Sequence, residues 1–393
     1  MLIPYVYVEL TLYEISINIE RKKMKTTPLY HIHEQFGAIF GKRHQDWNVV
    51  VQFTDVVSEH HAVRNSVGIA DVSYRGRYGL SGEDRAKFLH RIISNNIESL
   101  SVGQGTYATL LTNRGKIIAD MNVYILNDVI GIDTAAETTE SLFDELDKYI
   151  IADDVEISDL TPETGAIAVH GPQSPDLVRA VLGMNELTTL PERHSRFREP
   201  DALFNYAVVC VRTDTTGETG YTLYIAADGL EPLWERLMCE GEQFNIQPIG
   251  WDALESLRIE AGTPRYGTEL TDSIIPLEAE LEHAIDFEKG CYIGQEIVAR
   301  MKYRGHPNRL LRGIEVQDVS TSPECPEIHQ DARVFSADKE VGWITSSTFA
   351  PTLGKPIALA YVRMAVTEAG SRVQIETSDG QVDGTVVRLP FSV

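Results

Sequence analysis

Lys289-Gly290-Cys291-Tyr292-Ile293-Gly294-Gln295-Glu296, followed by Val298-Ala299-Arg300, is the stretch on which the reading of this chain turns. Its two glycines let the backbone come close to a ligand or a neighbouring segment, and Lys, Cys, Tyr, Gln and Glu crowd polar and nucleophilic groups around them. Cys291 is the one cysteine so placed, and Lys289, Arg300, Lys302 and Arg304 would favour its thiolate. A glycine-bounded loop that starts a helix explains the same residues, with Gln295 and Glu296 as polar groups of the first turn and Cys291 as an inert thiol. His306, the nearest downstream histidine, is a weak candidate for a base.

Two segments upstream carry the next signals. Leu257-Arg258-Ile259-Glu260-Ala261-Gly262-Thr263-Pro264 reads as a helix ending at a glycine and a proline. Arg258 and Glu260 lie two apart and so leave on different faces: either one serves a ligand while the other ties elements together. Farther back, Gly115-Lys116-Ile117-Ile118-Ala119-Asp120-Met121-Asn122 starts a strand beside a glycine turn. Asp120 either faces a pocket and holds a cationic amine or simply faces solvent.

Around these segments the chain alternates between strands and helices. Thr106 to Leu111 and Ile117 to Leu126 predict a hairpin, with a short strand at Asp128 to Thr134 and a helix at Glu137 to Tyr149. A second hairpin is expected from Ala207 to Arg212 and Tyr221 to Ala226, and helices at Val56 to Val67, Leu230 to Cys239 and Trp251 to Gly262. Between Leu310 and Arg388, six short strand-like runs predict a small β-barrel or sandwich.

Composition limits the function classes. A chain of 393 residues should divide into two or three domains, and a net charge of −23 argues against nucleic acid and anionic membrane as partners. The four cysteines form no CxxC pair, so neither a disulfide framework nor a metal site is indicated, and a cytoplasmic setting is expected. Residues 1–23 lack the features of a signal peptide or a membrane span and read as an extension preceding Met24.

Taken together, these segments resemble the superfamily of glycine-cleavage aminomethyltransferases, the folate domains of dimethylglycine and sarcosine dehydrogenases, and the YgfZ-type folate-binding proteins of iron–sulfur cluster assembly. The resemblance runs from about Thr27 to the C-terminus. It includes TPLYHIHEQFGA at 27–38, AVRNSVGIADVS at 62–73, the Tyr107 and Asp120 hairpin, HGP at 170–172 and TSSTFAPTLGKPIALAYV at 345–362. Within the superfamily, KGCYIGQE resembles the YgfZ branch, whereas the transferases carry a KxFIGRE-like sequence there.

The resemblance implies an α+β fold: a three-domain ring with mixed and antiparallel sheets and a C-terminal β-barrel. Residues 24–75 and 160–290 would form a discontinuous core, 76–159 an inserted domain and 305–393 the barrel. It implies tetrahydrofolate or a related reduced folate in a central channel, held by Tyr107, Asp120, Arg258, Glu260, Lys289, Tyr292, Gln295 and Arg300. Lys289, Arg300, Lys302 and Arg304 would hold the glutamate tail. On the YgfZ-like reading Cys291 acts in iron–sulfur cluster assembly or repair, with client or assembly proteins as partners. On the alternative the chain is a tetrahydrofolate-dependent aminomethyltransferase in which Asp120 orients the folate and the aminomethyl group. Thr222 and Thr215 stand where the transferases place an acidic and an aromatic residue, and Leu254 where they tend to have arginine.

Overall fold

The computed structural model describes residues 24–184, 187–202, 204–317, 328–378 and 380–391; the N-terminal extension and Cys325 lie outside the described residues. The architecture is α+β, built on two large sheets and a closed barrel. One sheet has six strands in the spatial order Ser195–Arg198, Val208–Arg212, Gly220–Ala226, Thr164–His170, Val67–Asp71 and Ile246–Pro248, antiparallel except for the last pair. After Asp71 the chain leaves this sheet, builds a five-stranded one, and returns at Thr164.

The five-stranded sheet runs Gly105–Leu111, Ile117–Ile125, Ile130–Thr134, Gly76–Ser81 and Glu156–Asp159. The expected hairpin is there, and its alternation decides where the polar groups go. Ala119, Met121 and Val123 enter a buried core with Leu80, Phe88, Ile132 and Leu142, so Asp120 and Asn122 emerge on the opposite face. Register places Tyr107, Asn122 and Asp133 in one cross-strand row on that face.

Six strands between Arg309 and Val387 close into the C-terminal barrel. Register shifts within its walls, as between Ile344 and Ser346, supply the bends that closure requires. The helix Trp251–Glu260 joins the barrel to the six-stranded sheet: Arg258 donates to Ser346, and the Glu260 carboxylate accepts from the Thr352 hydroxyl. Among the described residues no helix is long and apolar enough to cross a membrane.

Glu59, fully buried on the helix Val56–Asn65, is a further cross-tie. One carboxylate oxygen accepts from the backbone N–H groups of Phe53 and Thr54 and the other from Gly250, each at 2.7 Å. Replacing it by alanine leaves three backbone donors without their acceptor, that of Gly250 buried. Glu59→Ala is therefore expected to lower unfolding free energy by about 3 kcal/mol or more. Chemical denaturation checks this; a loss below about 1 kcal/mol would show that water replaces the carboxylate.

Candidate functional site

The polar faces of the two sheets meet across a cavity of about 370 Å³, floored by the helix Trp251–Glu260 and the segment following it. The five-stranded sheet contributes Tyr107, Asp120, Asn122 and Asp133. The six-stranded sheet contributes Ala168, His170, Thr222 and Tyr224, and the floor contributes Trp251, Leu254, Arg258, Arg265 and Tyr266. Arg75, from the crossing between the sheets, and Arg193 complete the wall.

Asp120 stands at one end of the cavity. Its Oδ2 accepts the Tyr107 hydroxyl at 2.9 Å, whereas its Oδ1 is buried without a partner. Burial raises its pKa above the usual carboxylate range, against the opposing pull of Arg75 and Tyr107. Burial and the Asp120 charge together push the Tyr107 hydroxyl well above its ordinary value, which keeps it a donor. Tyr107 is in turn overlaid by the Arg193 guanidinium, 5.3 Å from the ring centre, and by the His283 ring at 5.6 Å. Arg193 holds this position with a left-handed backbone, φ 62°, and donates to Asn122 Oδ1.

Arg75 donates from Nε to Asp133 Oδ1 at 2.8 Å, leaving Asp133 Oδ2 buried and unpartnered. Burial opposes the Arg75 charge, but the Asp133 carboxylate outweighs it and raises the guanidinium pKa. In the facing wall His170 Nδ1 is also buried with no partner. Folded proteins rarely leave such atoms unsatisfied, and the carboxylates Asp120 and Asp133, each with one bare oxygen, stand on the same cavity-facing side of their sheet.

The structure brings together only part of the set expected from sequence. Tyr107, Asp120 and Arg258 line the cavity; Glu260, Lys289, Cys291, Tyr292, Gln295 and Arg300 are outside its lining. Arg258 is tied to Glu269 at 2.8 Å, to Glu255 and to Ser346. Glu260 is fully buried between His60 at 2.9 Å and Arg64 at 2.7 Å, on the other face of the helix.

The Lys289–Glu296 motif clamps elements together. Lys289 donates to the carbonyls of His90, Ile93 and Asn95, and burial pushes its pKa down to about 8. Tyr292 is buried in the core beside the barrel. Gly294 has φ 84°, and a Cβ there would lie 2.6 Å from the Thr112 carbonyl oxygen, so glycine lets this loop close on the hairpin turn. Gln295 begins the helix Gln295–Arg304, where Arg300 is exposed and pairs with Glu296. Lys302 pairs with Glu282. Cys291 is exposed.

Sequence reasoning did not find Arg75, Asp133, His170 or Arg193. Asp133 and His170 belong to the same alternation that exposes Asp120, the one signal that could have found them; Arg75 and Arg193 lie outside regular strands and offered none.

Comparison with known proteins agrees with the geometry. Residues 29–289 match the GCVT N-terminal domain and residues 309–392 the glycine cleavage T-protein C-terminal barrel domain. The chain is 32% identical over 378 residues to an aminomethyltransferase of Shouchella clausii, covering 94% of this chain and 98% of that protein. It is 33% identical over 374 residues to one of Geobacillus thermodenitrificans, with the same coverage of each. The crystal structure of glycine cleavage system aminomethyltransferase T from Bartonella henselae superposes with a TM-score of 0.84 at 26% identity, covering 94% of this chain and 98% of that one. With both domain models matched and relatives aligned over nearly their whole length, this chain belongs to the glycine-cleavage T-protein, or aminomethyltransferase, family.

Proposed function

We propose that this protein is a tetrahydrofolate-dependent aminomethyltransferase whose reaction centre is Asp120 with Tyr107. The observation that carries the reading is the half-satisfied carboxylate of a cavity-lining residue: Tyr107 occupies Oδ2, and Oδ1 is buried with no partner. Tetrahydrofolate, when bound, supplies the two nitrogens that take up the one-carbon unit as a methylene bridge, with ammonia and the carrier thiol leaving and each taking one N–H proton. The cavity suits that ligand in size and in its unpartnered polar atoms.

Asp120 would hold the cationic amine of the donor and stabilise the positive charge that develops as ammonia departs. Tyr107 fixes that carboxylate, and Arg193 and His283 hold the Tyr107 ring in turn, so positioning supplies much of the rate. The cavity arginines are matched by carboxylates: Arg75 pairs with Asp133, Arg193 with Glu192, Arg258 with Glu255 and Glu269, and Arg265 with Glu255.

The second reading, a folate-binding accessory factor in iron–sulfur cluster assembly, rests on Cys291, an exposed thiol on a loop anchored by Lys289 and Tyr292. The two readings place the essential residue differently. On our reading Asp120→Asn lowers ammonia release from an aminomethylated lipoyl carrier by about 100-fold or more, while calorimetry still registers tetrahydrofolate binding. Cys291→Ala keeps the rate. An inactive wild type whose loss impairs cluster enzymes, rescued by Asp120→Asn but not by Cys291→Ala, would establish the accessory role instead.

The pH profile gives a separate check. Asp120 works as the carboxylate and its pKa is raised by burial, so the rate falls as pH drops through a value above the ordinary aspartate range. The residual activity of Asp120→Asn should lack this acid limb. A limb that persists unchanged in the variant would assign it to another group.

A further inference from the structure

Asp133 is the second carboxylate on the cavity-facing side of the five-stranded sheet, one strand over from Asp120. Register sets it opposite Asn122 on the strand Ile117–Ile125. Asp120 precedes Asn122 by two residues, so the two carboxylates are diagonal neighbours, with roughly 7–8 Å between their backbones. The Thr134 hydroxyl, next along from Asp133, donates to the Asp120 carbonyl and ties the two strands at this point. One cation serves both acids. Arg75 donates from Nε to Asp133 Oδ1 at 2.8 Å, and its Nη2 donates to the same oxygen. Burial raises the Asp120 pKa, and the Arg75 charge is the foremost influence pulling it back, yet Asp120 Oδ1 has no hydrogen-bond partner. The guanidinium therefore acts on Asp120 through its field while being bonded elsewhere.

The choice of partner has a physical reason. Asp133 is buried and Asp120 only half-buried, so an uncompensated charge costs more at Asp133. The other groups around Asp120 are already occupied. Tyr107 donates to its Oδ2, with the His283 ring stacked on the Tyr107 ring; Arg193 is committed to Glu192 and Asn122. Tyr266, on the floor, keeps its hydroxyl proton because burial, and then the Asp272 and Asp120 charges, raise its pKa. We propose that Asp133 is a positioning residue: by holding Arg75 it keeps that cation from pairing with Asp120, so that the Asp120 charge is not cancelled when a cationic amine enters. The inference rests on the transferase reading above and gives Asp133 and Arg75 a role in that same site. A guanidinium bonded to Asp120 would be a tethered competitor for the amine.

The test is isotope-edited NMR of aspartate-labelled protein, which follows the Asp120 carboxyl without turnover, its signal identified by Asp120→Asn. The neutral amide of Asp133→Asn holds a guanidinium less well than a nearby carboxylate does. In that variant Asp120 should titrate at lower pH than in wild type, and a crystal structure should show Arg75 bonded to it. In Arg75→Met it should titrate at higher pH. Asp133→Asn should also lower kcat for ammonia release by about tenfold or more, while the acid limb of the rate moves to lower pH. The double variant Arg75→Met, Asp133→Asn leaves neither charge unpaired at this position. It should regain kcat over Asp133→Asn and titrate above it, which a merely structural role for Asp133 does not predict. If Asp120 titrates alike in wild type and these variants, the positioning role is overturned whether or not the protein is a transferase. If the opposed shifts appear but wild type releases no ammonia, the transferase reading fails and the restraint of Arg75 by Asp133 stands.

Discussion

A carboxylate set into a cavity wall with one oxygen bonded and the other bare is the constraint around which this structure is arranged. Asp120 reaches that position because its strand must bury Ala119, Met121 and Val123 on the opposite face. Its burial would be costly were Tyr107 not donating to it and Arg75 not near enough to offset the charge. Arg75 in turn is held by Asp133, and Tyr107 by Arg193 and His283. Arg75, Tyr107 and Arg193 are half-buried and Asp133 is buried, whereas His283 is exposed.

The cross-ties fix the enclosure around it. Arg258 and Glu260 leave opposite faces of one helix, binding the barrel and the helix Val56–Asn65 to the cavity floor. The Lys289–Glu296 segment fastens the inserted sheet to the core beside the barrel. Most of the charged residues that stand out in the sequence are thus occupied in holding three units at fixed distances, as site geometry on the scale of an ångström demands.

The fold was legible where periodicity speaks. The hairpin bearing Tyr107 and Asp120, the helix Trp251–Glu260 and the strand-rich C-terminus all follow from apolar spacing and from glycine and proline punctuation. The hairpin Ile39–Arg43 with Trp47–Gln52 was not legible. Its turn uses His44 and Gln45 in the left-handed region, φ 46° and 64°, without the usual asparagine or glycine. A tertiary contact offsets that strain: His44 stacks on Tyr74 at 4.4 Å and hydrogen bonds to Glu137 at 2.7 Å. The site was half legible for the same reason. Asp120 follows from alternation, but Arg75 and Arg193 reach the cavity from irregular backbone, and the conspicuous KGCYIGQE stretch serves packing at Lys289, Tyr292 and Gly294.

The cavity is lined from both sheets, with Asp120 on one and Thr222 and Tyr224 on the other. A crystal structure of the protein soaked anaerobically with tetrahydrofolate tests the folate reading most directly. The account predicts density for the pterin inside the cavity, its reactive nitrogen toward Asp120. Density against the exposed Cys291 loop, with the cavity holding only solvent, would contradict it.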